Sequence, residues 1–241
     1  MNYLQIFALP SVLVAVVAYL LGSISFSIIF TRIFDNHADI RTMGSGNAGA
    51  TNVLRSVGAK AAAFTFVFDF AKGAVSVLIG RYVFYFAGMQ AGISSGMLYF
   101  ISQYGAYIAG VLCVIGHIYP VYFGFKGGKG VLTCAAMIAL IDWRVFIPVI
   151  CVFIIVFFIS RIVSLSSICA ASALPIVTFL VTFFADYRAG SASSTASITY
   201  VAVTTAISLL MAMILIYKHR SNIQRIRKGE EKKISIHKKT N

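Results

Sequence analysis

Seven apolar stretches, at about 6–30, 61–86, 99–115, 130–141, 145–160, 168–184 and 198–217, are separated by short polar breaks along the whole chain. A hydrocarbon core of about 30 Å takes roughly 20 apolar residues as a helix. In lipid, moreover, only helices and closed barrels satisfy the backbone. Continuous runs of this length predict an all-α polytopic membrane protein with about seven transmembrane helices. The 130–141 segment is short for a span, and the "DWR" at 142–144 reads either as a turn at the interface or as a break within a longer helix. With 59% hydrophobic and 11% charged residues, little is left over for a soluble domain. Residues 1–217 are expected to form a single helical bundle, followed by a basic tail, 218–241. The first run is too long for a signal-peptide core and lacks a basic flank, so it should remain as a helix.

Twenty Lys and Arg against seven Asp and Glu suggest nucleic acid at first sight, but nine of the twenty lie between Lys218 and Lys239, beside the last apolar run. A juxtamembrane basic cluster fits an anionic lipid surface instead, and no nucleic-acid partner is expected. With seven spans, most loop Lys and Arg fall on the side of the C-terminus, which places the C-terminus in the cytoplasm and the N-terminus outside. Cys113, Cys134, Cys151 and Cys169 lie in or beside apolar runs without metal-ligand spacing, and no metal or other cofactor is expected.

The polar stretches on the expected cytoplasmic face carry unusual chemistry. "GFKGGKG" (124–130) departs from the nucleotide-binding GxxxxGK[ST] loop: Phe123 stands where its first Gly belongs, and Gly130 follows Lys129 in place of Ser or Thr. Glycines can nevertheless turn backbone N–H groups toward one point, and a helix beginning near Gly130 would add its positive end. Lys126, Gly127, Gly128, Lys129 and Gly130 are therefore candidate phosphate ligands, the alternative being lysines that merely obey the charge rule. "GSGNAGATNVLR" (44–55) repeats the composition with Ser45, Asn47, Thr51, Asn52 and Arg55, whose guanidinium can fork onto phosphate oxygens. The plainer reading of that stretch is a capped turn. His117 stands at the end of the third run, and His219 and Asn222 share a helix face at i, i+3. Either histidine could also be a polar packing residue. Asp69 and Lys72, i, i+3 within the second run, read as a structural ion pair, a coupling-ion site being the alternative.

Together, "SGNAGATNVLR", "GHIYPVYFGFKGGKGVLT" and "HRSNIQRIRKGEE" closely resemble the three signature regions of the PlsY family of bacterial acyl-phosphate glycerol-3-phosphate acyltransferases. "DFAKG" (69–73) and "VSLSS" (163–167) are further matches in the family's order, so that the likeness spans nearly the whole chain. The resemblance implies a seven-helix enzyme of the bacterial cytoplasmic membrane with a cytoplasm-facing site. It would transfer a fatty acyl group from acyl phosphate to the sn-1 hydroxyl of glycerol 3-phosphate, giving lysophosphatidic acid and phosphate. Its substrates would be its partners, with membrane lipid and no obligatory protein. Carried over to matched positions, Ser45, Asn47 and Arg55 belong to the first motif. The 126–130 stretch goes to phosphate, Ser166 and Ser167 to substrate contact, and His219 and Asn222 to the third motif (218–231). Glu230 and Glu231 compete for a structural role. Ala48 stands where many members have Pro, and Ser166 where Gly is common. The general base stays open among His117, His219 and a substrate phosphate. A transporter of phosphorylated solutes, using the same basic face, is the rival from another class.

Overall fold

A computed structural model describes residues 3–189 and 196–234. The end of the basic tail, 235–241, and much of the 187–197 connection lie outside these residues. Among them every regular element is helical, and the chain divides into two compact units. Six helical stretches are long and apolar enough to cross a membrane, with one shorter apolar helix besides.

The first unit, ending at Trp143, holds α1 (Tyr3–Gly22), α2 (Phe26–Phe34), α3 (Ala50–Ser56), α4 (Ala59–Gln90), α5 (Ser95–Ile118) and α6 (Val131–Ile141). Apolar side chains gain little by leaving lipid, so close approach at small residues must hold such helices together. Glycines supply it here. A Cβ on Gly80 of α4 would overlap the Gly105 carbonyl of α5, and one on Gly105 the Gly80 carbonyl. A Cβ on Gly116 would likewise meet the Tyr19 carbonyl, which brings α1 against α5. Gly73 sets α6 against α4, where an added Cβ would stand 2.9 Å from the Ala136 methyl.

The first apolar run lies in one stretch long enough to span, Gln5–Phe34, whose helix is interrupted between α1 and α2 at Ser23–Ser25. Ser23 Oγ donates to the Tyr19 carbonyl (2.8 Å) and accepts the Val121 N–H (3.3 Å), offering the backbone an alternative to the helix. The break releases the Ile24 carbonyl, which accepts a hydrogen bond from Lys72 Nζ at 2.6 Å. Beyond it, Phe26, Phe30 and Phe34 of α2 stack along Phe64 and Phe68 of α4.

With 11 residues, or ~16 Å of rise, α6 cannot cross a 30 Å core by itself. Its end is closed inside the unit: Arg81 Nη2 donates to the Leu140 carbonyl (2.5 Å) and to Gln103 Oε1 (3.2 Å), and Gln103 Nε2 reaches the Ile141 carbonyl at 3.4 Å. A guanidinium against the last carbonyls satisfies groups that a helix C-terminus leaves open, and it complements the helix dipole.

The second unit holds α7 (Trp143–Ser160, within this unit from Arg144), α8 (Val163–Leu180), α9 (Ile198–Lys218) and α10 (Arg220–Arg227). A π-helical segment, Val181–Arg188, prolongs α8. A two-pronged Arg144–Asp186 ion pair (2.9 and 3.1 Å) joins the start of α7 to that segment. Large apolar side chains of α7 such as Ile155, Phe158 and Ile159 are exposed, as befits a surface that meets lipid.

Candidate functional site

Two loops of the first unit, 39–49 and 119–130, are fastened to each other. Asp39 and Arg41 form a fork, Nε and Nη2 of the guanidinium bonding both carboxylate oxygens at 2.7–3.1 Å. That bond holds the Asp39 carboxyl below its ordinary range. The remaining prong, Nη1, donates to the Phe123 carbonyl at 2.7 Å, which pins the second loop to the first.

Asn52 organises the first loop from beneath. Its Oδ1 accepts the Ser45 N–H (2.9 Å), and its Nδ2 donates to the carbonyls of Met43 (2.9 Å) and Ile40 (3.2 Å). The side chain is buried and faces the loop's own backbone. Gly44 and Gly46 turn with positive φ, so that Ser45 is presented at the surface. Asn47 and Thr51 are half-buried, and Arg55 projects from α3 to the outside.

In the second loop, Gly124 and Phe125 both take positive φ, and Gly130 (φ +85°) caps α6. Gly127 N–H donates to the Ile118 carbonyl (3.2 Å) and Gly128 N–H to that of His117 (3.1 Å). These two amides therefore fasten the loop to the end of α5. A Cβ on Gly128 would overlap both the Ala48 carbonyl oxygen of the first loop and His117 Nε2. Lys126 is exposed and Lys129 half-buried.

Below the loops lies a buried polar cluster: Asp69, Lys72 and His117 are 1%, 5% and 6% exposed. Lys72 Nζ stands 2.8 Å from Asp69 Oδ1 and 3.0 Å from His117 Nδ1. The Asp69–Lys72 contact is held by charge rather than direction, since neither Asp69 oxygen meets a well-aligned donor among the described residues. The ion pair read from the sequence thus includes a third member, the histidine at the end of α5.

In the second unit, Glu231 rather than Glu230 takes the structural position. Its carboxylate receives Ser164 Oγ (2.7 Å), Asn222 Nδ2 (2.6 Å) and Arg225 Nε (2.6 Å), tying α10 to the start of α8, while Glu230 is exposed. Burial pushes the Glu231 carboxyl up, but the three donors outweigh it and hold it below its ordinary value. Ser166 and Ser167 are buried, their hydroxyl protons on the Ile162 and Val163 carbonyls, and so they point into the helix. His219, at the junction of α9 and α10, has Nδ1 2.7 Å from the Leu215 carbonyl. A carbonyl only accepts, so the neutral ring carries its proton on Nδ1 and a lone pair on Nε2.

The sequence reading passed over the Asp39–Arg41 fork, Ser164 and Arg225. An Asp two residues before an Arg at the mouth of a glycine-rich loop was the available signal for the first. Ser164 and Arg225 declare themselves only through Glu231.

Comparison with known proteins places this geometry. The family model described as glycerol-3-phosphate acyltransferase matches residues 12–229. A glycerol-3-phosphate acyltransferase of Syntrophomonas wolfei is 40% identical over 220 residues, covering 91% of this chain and 95% of the relative. One of Prochlorococcus marinus (strain MIT 9215) is 36% identical over 225 residues, or 93% and 98% of the two chains. The crystal structure of PlsY (YgiH) in its glycerol 3-phosphate form superposes with a TM-score of 0.69 at 34% identity, covering 93% of this chain and 96% of that one. Its lysophosphatidic acid form gives 0.67 at 33% identity, with 93% and 95% covered. The loops and the buried cluster lie in the matched region, and the chain belongs to the glycerol-3-phosphate acyltransferase family typified by PlsY.

Proposed function

We propose that this protein transfers a fatty acyl group from acyl phosphate to the sn-1 hydroxyl of glycerol 3-phosphate, releasing lysophosphatidic acid and inorganic phosphate. The observation that carries the reading is the pair of loops fastened by Arg41 and by the Gly128 contact, with Ser45, Arg55 and Lys126 on their outer surface. Both substrates bring a phosphate dianion, so a site that joins them must first offset their mutual repulsion. Arg55 on α3 and Lys126 and Lys129 on the second loop supply that charge, and Ser45, Asn47 and Thr51 add hydrogen-bonding groups.

In the reaction the glycerol hydroxyl attacks the acyl carbonyl, an ester C–O bond forms, the mixed-anhydride C–O bond breaks and phosphate departs with the electron pair. Holding both substrates in place accounts for much of the acceleration, because the donor is already activated. A proton must leave the attacking hydroxyl. A substrate phosphate can accept it. On the charge rule, the loops and the basic tail face the cytoplasm of a bacterial cytoplasmic membrane.

The test is purified protein in lipid with palmitoyl phosphate and labelled glycerol 3-phosphate. Labelled lysophosphatidic acid, lost in Arg55→Ala, is the expected result. A folded wild-type protein that makes none would overturn the reading.

A further inference from the structure

Three acceptors converge on the Lys72 ammonium. Nζ lies 2.6 Å from the Ile24 carbonyl oxygen freed by the α1–α2 break, 2.8 Å from Asp69 Oδ1 and 3.0 Å from His117 Nδ1. An ammonium has three protons and no lone pair, so it can donate to the carbonyl and to Nδ1 and accept from neither. Asp69 balances its charge where an unpaired one would be costly.

The His117 ring follows from that count. Facing an ammonium, Nδ1 must accept, and the neutral imidazole then carries its proton on Nε2. Among the described residues the carboxylate beside the ring is Asp69, which stands 3.6 Å from Nδ1, beyond hydrogen-bond reach. The Nε2 edge is turned toward Gly128, which leaves no space for a side chain there. His219 is the opposite tautomer, its Nδ1 on a carbonyl.

We propose that His117 is a positioning residue for acyl transfer and not its proton acceptor. Lys72 holds the ring as the Nε2–H tautomer, and the ring holds the Gly127–Gly128 turn that presents Lys126 and Lys129. The polar groups facing it are Asp69 and Lys72 from α4, the Gly128 backbone from the second loop, and the Ala48 carbonyl of the first loop, which borders the same glycine. The inference rests on the acyl-transfer reading for its activity readout.

Asparagine and glutamine separate the two roles, since an Asn amide oxygen takes the place of Nδ1 whereas a Gln amide takes that of Nε2. His117→Asn is expected to keep kcat/KM for glycerol 3-phosphate within about tenfold of wild type, while His117→Ala and His117→Gln lose about a hundredfold or more, mainly through KM. A proton acceptor would instead fail in kcat, and equally in all three. A second readout needs no turnover: in protein labelled with 15N-histidine, His117 is expected to show an unprotonated Nδ1 and a protonated Nε2, its signals identified by their loss in His117→Asn. A proton on Nδ1, or a folded His117→Asn as inactive as His117→Ala, would overturn the proposal. A wild-type protein that makes no lysophosphatidic acid from palmitoyl phosphate would sink acyl transfer itself, and the spectrum would still decide the ring.

Discussion

Gly128→Ala places one methyl group where the two loops touch. The added Cβ would overlap the Ala48 carbonyl oxygen and His117 Nε2, and the first of these is backbone that cannot swing aside. Reaching ordinary van der Waals separation requires displacement on the order of 1 Å. The Gly128 N–H bond to the His117 carbonyl resists that movement from the other side. Overpacking of this kind typically costs about 1–3 kcal/mol of stability, which a folded membrane protein can survive. A positioning error of about 1 Å at a site that works by holding two substrates can cost about a hundredfold in rate. Gly128→Ala is therefore expected to remain folded, by thermal unfolding in detergent, and to lose roughly a hundredfold in kcat/KM for glycerol 3-phosphate. Gly124→Asn is the control. That position has open space and a left-handed backbone that Asn tolerates, so activity should stay close to wild type. A Gly128→Ala enzyme within threefold of wild type would show that the loop contact does not set substrate position.

Arg41→Met leaves Asp39 without its partner and the Phe123 carbonyl without its donor. The pair is about a quarter exposed, and after screening by solvent the loss should amount to about 1–2 kcal/mol of loop closure, read as a five- to thirtyfold fall in kcat/KM with little change in unfolding temperature. Glu231 gives a pH dependence. Its carboxyl lies below the ordinary 4.5, so the tie between α8 and α10 contributes fully above about that pH and is lost as pH falls through the lower folded-state value. Wild type should lose unfolding temperature over that acid range, and Glu231→Gln should start lower and lose less there; parallel curves would refute the assignment.

The apolar runs made the membrane class plain, since length and hydrophobicity are local properties. The two glycine-rich loops were likewise visible as clusters of residues that a linker does not need. What stayed hidden depends on partners far away in the chain. Nothing local says that Arg41 reaches Phe123, or that Lys72 links Ile24 to His117. The break at Ser23–Ser25 was concealed because two serines interrupt an apolar run too weakly to register, although a serine hydroxyl can compete for backbone. Asn52 shows the same difficulty in a site residue: a buried amide that organises a loop and one that binds substrate have the same sequence signature. Glu230 and Glu231 were inseparable by position, and only the three donors around Glu231 distinguish them.

The central claim is that phosphate is the leaving group and glycerol 3-phosphate the acceptor. The most direct measurement follows inorganic phosphate and lysophosphatidic acid together, in purified protein supplied with palmitoyl phosphate and glycerol 3-phosphate, with palmitoyl-CoA as a parallel donor. One phosphate should be released for each lysophosphatidic acid formed, with no product from the thioester. Product from the thioester alone, or phosphate released without ester, would contradict it.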